Sequence, residues 1–74
     1  MIAEHDRVVL TAELPGTSLT AGDIGTVVHV YQGRHAFEVE FVALDGEAVA
    51  VATVTSQQVR LVAPREIAHA RTVA

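Results

Sequence analysis

The feature that most constrains the fold is a strict alternation near the middle of the chain. Phe37, Val39 and Phe41 are separated by Glu38 and Glu40. Successive side chains of a β-strand point to opposite faces, so this pattern predicts a strand with one buried face and one solvated face. The segment that follows contains a turn signal and then a run of valine and alanine. The pattern therefore predicts a β-hairpin and favours an all-β fold.

The register of this hairpin depends on the length of its loop, for which the sequence offers two alternatives. A two-residue loop at residues 45–46 would place Phe41 opposite Ala50, on a returning strand over residues 47–53. A three-residue loop at residues 44–46 would instead place Phe41 opposite Val49. The longer loop combines a type I turn with a left-handed glycine and gathers the large apolar side chains on one face. We therefore expect the second register.

Further short runs of β-branched residues predict three more strands, and Leu19 is expected to anchor the long loop after the first strand to the core. The chain has 74 residues, which suits one small domain. Five short strands with this spacing predict a small five-stranded SH3-like barrel, with an OB barrel as the competing assembly. The predicted ranges are residues 7–12, 26–31, 37–41, 47–53 and 59–62 for the strands, 1–63 for the barrel and 64–74 for a C-terminal tail.

The predicted tail differs in composition from the barrel and contains residues that favour a helix. Pro64 suits the first position of a helix, so we expect one or two helical turns or an extended segment. If the tail is helical, Pro64, Ile67 and Arg71 lie on roughly one side. Ile67 then either covers the domain's own barrel or contacts another protein.

Charge and composition exclude several classes of function. The formal net charge is −4, the five basic residues are all arginine, and cysteine is absent. Affinity for nucleic acid comes largely from basic side chains that neutralise phosphates, so we expect no nucleic-acid binding. The chain lacks a signal-like N-terminus and an apolar run long enough to cross a bilayer, so we expect no membrane association. The absence of cysteine fits a cytoplasmic location.

No group of residues has the pattern of a catalytic or metal site. The histidines His5, His29, His35 and His69 lack the close spacing of ligand pairs, although His29 and His35 could meet across two strands. Both serines lie in turn-like contexts without a neighbouring base. Glu38 and Glu40 fit the wet face of a strand better than an acid–base pair. We therefore expect no enzymatic activity, no cofactor and no metal.

Four segments carry a resemblance to a known family. They are Asp-Arg-Val-Val-Leu-Thr at 6–11, Leu-Thr-Ala-Gly-Asp-Ile-Gly-Thr-Val-Val at 19–28, Phe-Glu-Val-Glu-Phe at 37–41 and Arg-Glu-Ile-Ala-His-Ala-Arg at 65–71. They resemble an uncharacterised family of short bacterial proteins, number four-nine-two-six among the domains of unknown function. The Gly-Asp-Ile-Gly-Thr-Val-Val block also resembles KOW-like and nitrile hydratase β-like SH3 barrels. The resemblance implies a small partner protein, as in toxin–antitoxin-like pairs, and implies no catalytic residue.

The leading hypothesis is a protein-binding accessory module, the antitoxin-like or scaffolding half of a bacterial protein pair. Another small protein is the expected partner, and a homodimer through a sheet edge is a second expectation. The alternatives are an accessory subunit or chaperone-like protein of a metalloenzyme, and a small SH3-like toxin, against which the acidic charge argues. The candidate partner-binding residues are Glu38, Glu40, Ile67 and Arg71, and the structural turn residues are Gly22, Gly25, Asp45 and Gly46.

Overall fold

The computed structural model describes residues 1–73, so Ala74, the last residue of the predicted tail, lies outside the described residues. All five strands run antiparallel to their neighbours in one sheet of order β4-β3-β2-β1-β5. This confirms the all-β, five-stranded class. The elements are β1 (Arg7–Leu10), β2 (Ile24–Val30), a 3₁₀ turn (Gln32–Arg34), β3 (Ala36–Val42), β4 (Ala48–Thr55) and β5 (Val59–Leu61).

The two edge strands, β4 and β5, are not joined by a ladder of hydrogen bonds, so hydrogen bonding does not close a barrel. The sheet nevertheless curls, because a single buried cluster includes side chains from both edges. Leu19 is 3% exposed and anchors the loop after β1 as expected, and Leu14 of the same loop is buried with it. The cluster comprises Val8, Leu10, Leu14, Leu19, Val27, Phe37, Val39, Phe41, Val54 and Val59.

The loop between β3 and β4 has the expected three-residue geometry. The N–H of Ala43 donates to the C=O of Glu47 at 2.8 Å, and the N–H of Gly46 donates to the C=O of Ala43 at 2.9 Å. Gly46 has a φ of +94°, which glycine adopts without steric cost. The Asp45 carboxylate accepts the N–H of Glu47 at 3.0 Å and stabilises the turn.

The register beyond this loop differs from the expected one. Val42 pairs with Ala48, but Phe41 pairs with Ala50, so Val49 is an extra residue that forms a β-bulge. The prediction that Phe41 lies opposite Val49 was therefore wrong. The physical reason is volume: the phenylalanine rings already fill the buried side of β3, and alanines on the facing strand leave them room. Stacking valine on phenylalanine would have overfilled this layer.

Two glycines shape the segment that enters β2. Gly22 has a φ of +94°, and its N–H donates to the C=O of Leu10 at 2.8 Å, so it lies in a tight turn. Gly25 lies within β2 rather than in the turn, opposite Val8. A Cβ atom on Gly25 would approach Cγ1 of Val39 to 2.5 Å and the carbonyl oxygen of Glu40 to 2.8 Å. Gly25 thus permits the close contact between β2 and β3.

The tail contains no helix within residues 64–73 and is extended after a turn at Pro64 and Arg65. The helical alternative is therefore wrong, because the tail is fixed by contacts with distant residues rather than by its own periodicity. Ile67 is 93% exposed, so it does not cover the barrel. Tail residues 66–69 instead border Val9, which lies outside the main cluster and is only 8% exposed.

Candidate functional site

The outer face of the sheet, opposite the core, carries a hydrogen-bonded cluster around Glu38. The Tyr31 hydroxyl and the Thr53 hydroxyl both donate to Oε2 of Glu38, the second at 2.7 Å. The ring of His29 meets the ring of Tyr31 edge to face at a centroid distance of 4.7 Å. β2, β3 and β4 each contribute to this cluster or flank it, because His29, Glu38 and Thr53 face one another across the ladders.

These hydrogen bonds fix the charge of the cluster. The donated bonds of Tyr31 and then Thr53 stabilise the carboxylate and lower the pKa of Glu38. The same carboxylate raises the pKa of Tyr31. Glu38 is thus held as an anion at neutral pH, which suits a surface that attracts cations and does not suit a proton donor.

The other predicted acidic residue, Glu40, lies on the same face one pair further along β3, opposite Thr26 and Val51. Within residues 1–73, neither Glu38 nor Glu40 forms an ion pair with an arginine. The structure therefore brings the two predicted carboxylates onto one surface and leaves their charge uncompensated there.

The open edge of β4 borders this acidic face. Just after β4, Ser56 donates its N–H to the C=O of His35 at 2.9 Å. In an antiparallel pair, opposite residues alternate between exchanging both main-chain bonds and exchanging none. Counting back along β4 from this pair, Val51, Thr53 and Thr55 direct their N–H and C=O groups away from β3.

A local cap uses one of these three positions. The N–H of Thr55 donates to Oε1 of Gln58 at 2.9 Å, and the C=O of Thr55 accepts the N–H of Gln58 at 3.0 Å. No strand among the described residues pairs with this side of β4. Val51 and Thr53 are therefore left with both main-chain groups directed into solvent.

The sequence of β4 lacks the usual protection of an edge strand. It reads Ala-Val-Ala-Val-Ala-Thr-Val-Thr, with no charge and no proline, and it is the longest strand of the sheet. Val51 is 59% exposed on it. Natural edge strands are usually short, charged or covered, because an open edge pairs readily with another chain. By contrast, the other edge, β5, has three residues and carries Arg60.

Arg71, predicted to bind a partner, is engaged within the chain. Its Nε donates to Oδ1 of Asp23 at 2.7 Å, a second guanidinium bond reaches Oδ2, and Nη2 also donates to the C=O of Ser18 at 2.8 Å. The Asp23 carboxylate additionally accepts the N–H of Thr20. The Arg71 guanidinium lowers the pKa of Asp23, and the carboxylate raises the pKa of Arg71. We call this contact the tail latch.

A second arginine pair shapes the start of the tail. Arg60 and Glu66 form a two-pronged ion pair with distances of 2.8 and 2.7 Å, and Glu66 also accepts the N–H of Ala63. These bonds lower the pKa of Glu66 to about 2. Ile67 follows directly and points into solvent, so of the two predicted tail residues only Ile67 is presented for contact.

A groove of about 720 Å³ separates the tail from the β3–β4 hairpin. Val42 and Leu44 of the hairpin line one side, and residues 68–73 of the tail line the other. Leu44 is 92% exposed at the hairpin tip. The groove lies beside the start of β4, and within residues 1–73 no main-chain hydrogen bond joins the tail to that strand.

The metal hypothesis finds no site in residues 1–73, where no group of three or more His, Cys, Asp or Glu side chains is close enough to hold an ion. His29 lies opposite Glu38, with its Nδ1 4.0 Å from Oε2 of Glu4. His35 lies at the turn before β3, so the two histidines belong to different surroundings. In the described part of the chain, no helix has the length and apolar character needed to cross a bilayer.

Comparison with known families gives one match. The model of the family described as a domain of unknown function, DUF4926, matches residues 4–61. The chain belongs to this family. The matched DUF4926 region contains all five strands and ends with β5, so Ile67 and the tail latch residue Arg71 lie beyond it. A search of curated proteins and a search of solved structures each returned no match. The resemblance to KOW-like and nitrile hydratase β-like barrels stays a prediction.

Sequence reasoning missed the features that give these surfaces their geometry. The alternation identified the wet face of β3 but not the Tyr31 and Thr53 donors, which come from elsewhere in the chain. It also could not assign which β4 groups face outward, since the bulge at Val49 changes that count. A usable signal was present in the absence of charge along β4, which marks a strand unlike ordinary protected edges.

Proposed function

We propose that the chain is a non-enzymatic, protein-binding accessory module, the antitoxin-like or scaffolding half of a bacterial protein pair. Its partner adds a strand to the open edge of β4. The observation that carries the proposal is the pair Val51 and Thr53, whose main-chain groups are unpaired at an uncharged edge. The module works in the cytoplasm, where reducing conditions suit a chain without cysteine.

Strand addition supplies affinity through main-chain hydrogen bonds and specificity through alternate side chains. An added strand would place its outward side chains beside Val51 and Thr53. It would lie about 10 Å from β3, two strand spacings away. A long basic side chain on the partner spans that distance to Glu38 or Glu40. The chemistry therefore favours an extended segment that alternates aliphatic residues with arginine or lysine.

The charge of the whole chain acts in the same direction. A formal net charge of −4 attracts a basic partner over distances comparable to the screening length. Glu38 is held ionised by its two hydroxyl donors, so this attraction persists at mildly acidic pH. Opposite charges of this kind raise the rate of association more than the final affinity.

The tail provides a second contact in this proposal. Ile67 is almost fully exposed and follows a segment fixed by the Arg60–Glu66 pair. A large aliphatic side chain held outward at a defined position suits insertion into a pocket of the partner. The tail latch keeps this segment against the body of the domain, so the partner meets an ordered surface.

The test is affinity recovery of the tagged protein from its native host, followed by quantitative mass spectrometry. The wild type is compared with Val51→Lys, which places a charge on the open edge, and with Val28→Lys as a matched control. Val28 is also an exposed valine, but it lies on the central strand β2. We expect one stoichiometric small protein with the wild type and the control, and loss of it with Val51→Lys. Recovery of the protein without a partner, or a partner retained by Val51→Lys, contradicts the proposal.

A further inference from the structure

We propose that, in the absence of its partner, the open edge of β4 pairs with the β4 edge of a second copy of this chain. The inference rests on the proposed function, since it concerns the occupant of the same edge before the partner binds. The pairing is antiparallel, with a two-fold axis at Ala52. Self-pairing then controls access, because the partner must displace the second copy.

The number of open edges limits the assembly to a dimer. β4 is long and uncovered, whereas β5 has three residues, carries Arg60 and leads directly into the turn at Pro64. A contact that uses the same patch on both copies closes after two subunits. Pairing of β4 with β4 therefore gives a closed dimer and leaves no second open edge of comparable length.

The hydrogen-bonding groups of β4 select the register. Val51 and Thr53 each offer one N–H and one C=O to the open side, while the groups of Thr55 are taken by Gln58. If Val51 faces Thr53 of the second copy, the two-fold axis makes Thr53 face Val51 in return. Every free group on both edges then finds a partner, since opposite residues exchange both bonds at such positions.

The side chains accept this register without conflict. Ala52 meets Ala52 of the second copy at a position where no main-chain bonds are exchanged and side chains approach closely, and a methyl group fits there. Ala50 meets the larger Val54, which balances the volumes on the inner face. The nearest charge, Glu47, faces the neutral Gln57 of the second copy. No like charges therefore oppose each other along the edge.

The dimer is expected to be weak, because a single strand pair buries less surface than a standard interface. A weak dimer is suited to exchange, since a partner that adds basic contacts to Glu38 and Glu40 gains affinity that a second acidic copy cannot offer. The repulsion between two copies, each of net charge −4, also makes self-pairing stronger at higher salt.

Sedimentation equilibrium of the purified full chain tests the inference, with Val51→Lys and Val28→Lys as variants that circular dichroism must first show to be folded. We expect a concentration-dependent dimer for the wild type and for Val28→Lys, and a monomer for Val51→Lys. A wild type that stays monomeric up to the highest soluble concentration overturns self-pairing. A dimer that Val51→Lys leaves intact overturns it as well.

Cross-linking tests the register without relying on the lysine variants. The chain has no cysteine, so single cysteines report one position each. The Cα atoms of Ala52 in the two copies are expected to lie about 4.5 Å apart, within reach of a disulfide. The two Thr55 Cα atoms are offset by six residues, or about 20 Å. Oxidation should link Ala52→Cys and spare Thr55→Cys, and the reverse would overturn the register.

These results separate the two proposals. A monomeric purified protein that still recovers a small partner from the host removes self-pairing and keeps the proposed function. A dimer linked at Ala52 that recovers only itself from the host keeps self-pairing and removes the heterologous partner.

Discussion

Gly25 shows how one residue sets the distance between two strands. An added Cβ would contact Val39 Cγ1, the Glu40 carbonyl oxygen and Phe41 Cε1 at 2.5 to 2.9 Å, and the carbonyl is main chain that cannot rotate away. We expect Gly25→Ala to lower the free energy of unfolding by about 1–3 kcal/mol, the usual cost of overpacking. Urea denaturation measures this change. Gly16→Ala is the control, because nothing lies within 4 Å of its added Cβ, and a smaller loss is expected there. A Gly25→Ala variant as stable as the wild type would contradict the close contact.

Tyr31 reports on the charge of Glu38. It is the chain's single tyrosine, so the ultraviolet absorbance of tyrosinate follows this residue alone. Because the Glu38 carboxylate raises the pKa of Tyr31, Glu38→Gln should return the midpoint toward the ordinary value of about 10. Glu40→Gln is the control and should leave the midpoint closer to that of the wild type. Equal midpoints in the wild type and Glu38→Gln would show that the hydroxyl bond is absent in solution.

The tail latch predicts a pH dependence with a defined sign. Asp23 has a lowered pKa in the folded protein, so its contribution to stability is complete above its unfolded pKa of about 3.9. That contribution is lost as the pH falls through the lower, folded value. A double-mutant cycle of Asp23→Asn and Arg71→Gln should show a coupling energy at about pH 7 that declines below about pH 4. A coupling energy that is unchanged at low pH would exclude this ion pair as its source.

At the scale of the element, the β3–β4 hairpin separates what sequence predicts well from what it predicts poorly. The alternation of Phe37, Val39 and Phe41 fixed the buried face of β3, and the glycine at 46 fixed the loop. The register failed because the bulge at Val49 follows from packing against the rings, which no local rule contains. A one-residue shift decides which β4 groups face outward, so the binding edge was out of reach of the sequence pattern.

The tail is the second element whose conformation came from distant contacts. Its composition suggested a helix, but the tail latch joins residues 48 positions apart, and the turn at Arg65 has a φ of +66°. Local propensity is weak in a segment this short, so a bidentate contact with Asp23 outweighs it. The exposure of Ile67 follows from that path and not from any feature of its own sequence neighbourhood.

Removing the tail tests its role. Deletion of residues 64–74 should leave the sheet folded and lower the free energy of unfolding by about 1–2 kcal/mol, since Val9 loses its cover. Recovery of the partner should also fall, because Ile67 is gone. Deletion of residues 72–74 alone keeps the tail latch and is the control. Unfolding of the longer truncation would make the tail a structural part of the domain.

At the scale of the whole molecule, fold class and charge were predictable and the binding geometry was not. Five strands, one core and an acidic surface follow from spacing, alternation and the count of charged residues. The arrangement that gives the surface its use needs the sheet order, which leaves β4 at one edge and ends the other edge with a three-residue strand. A small all-β domain with one unprotected edge gains stability when another chain covers it.

The most direct measurement is amide hydrogen exchange, residue by residue, on the purified protein and on the assembly recovered from the host. If another chain occupies the open edge, the amides of Val51 and Thr53 exchange much more slowly in the assembly, while the Val28 amide on central strand β2 changes little. Protection of other surfaces with unchanged exchange at Val51 and Thr53 would contradict the claim that β4 is the docking edge.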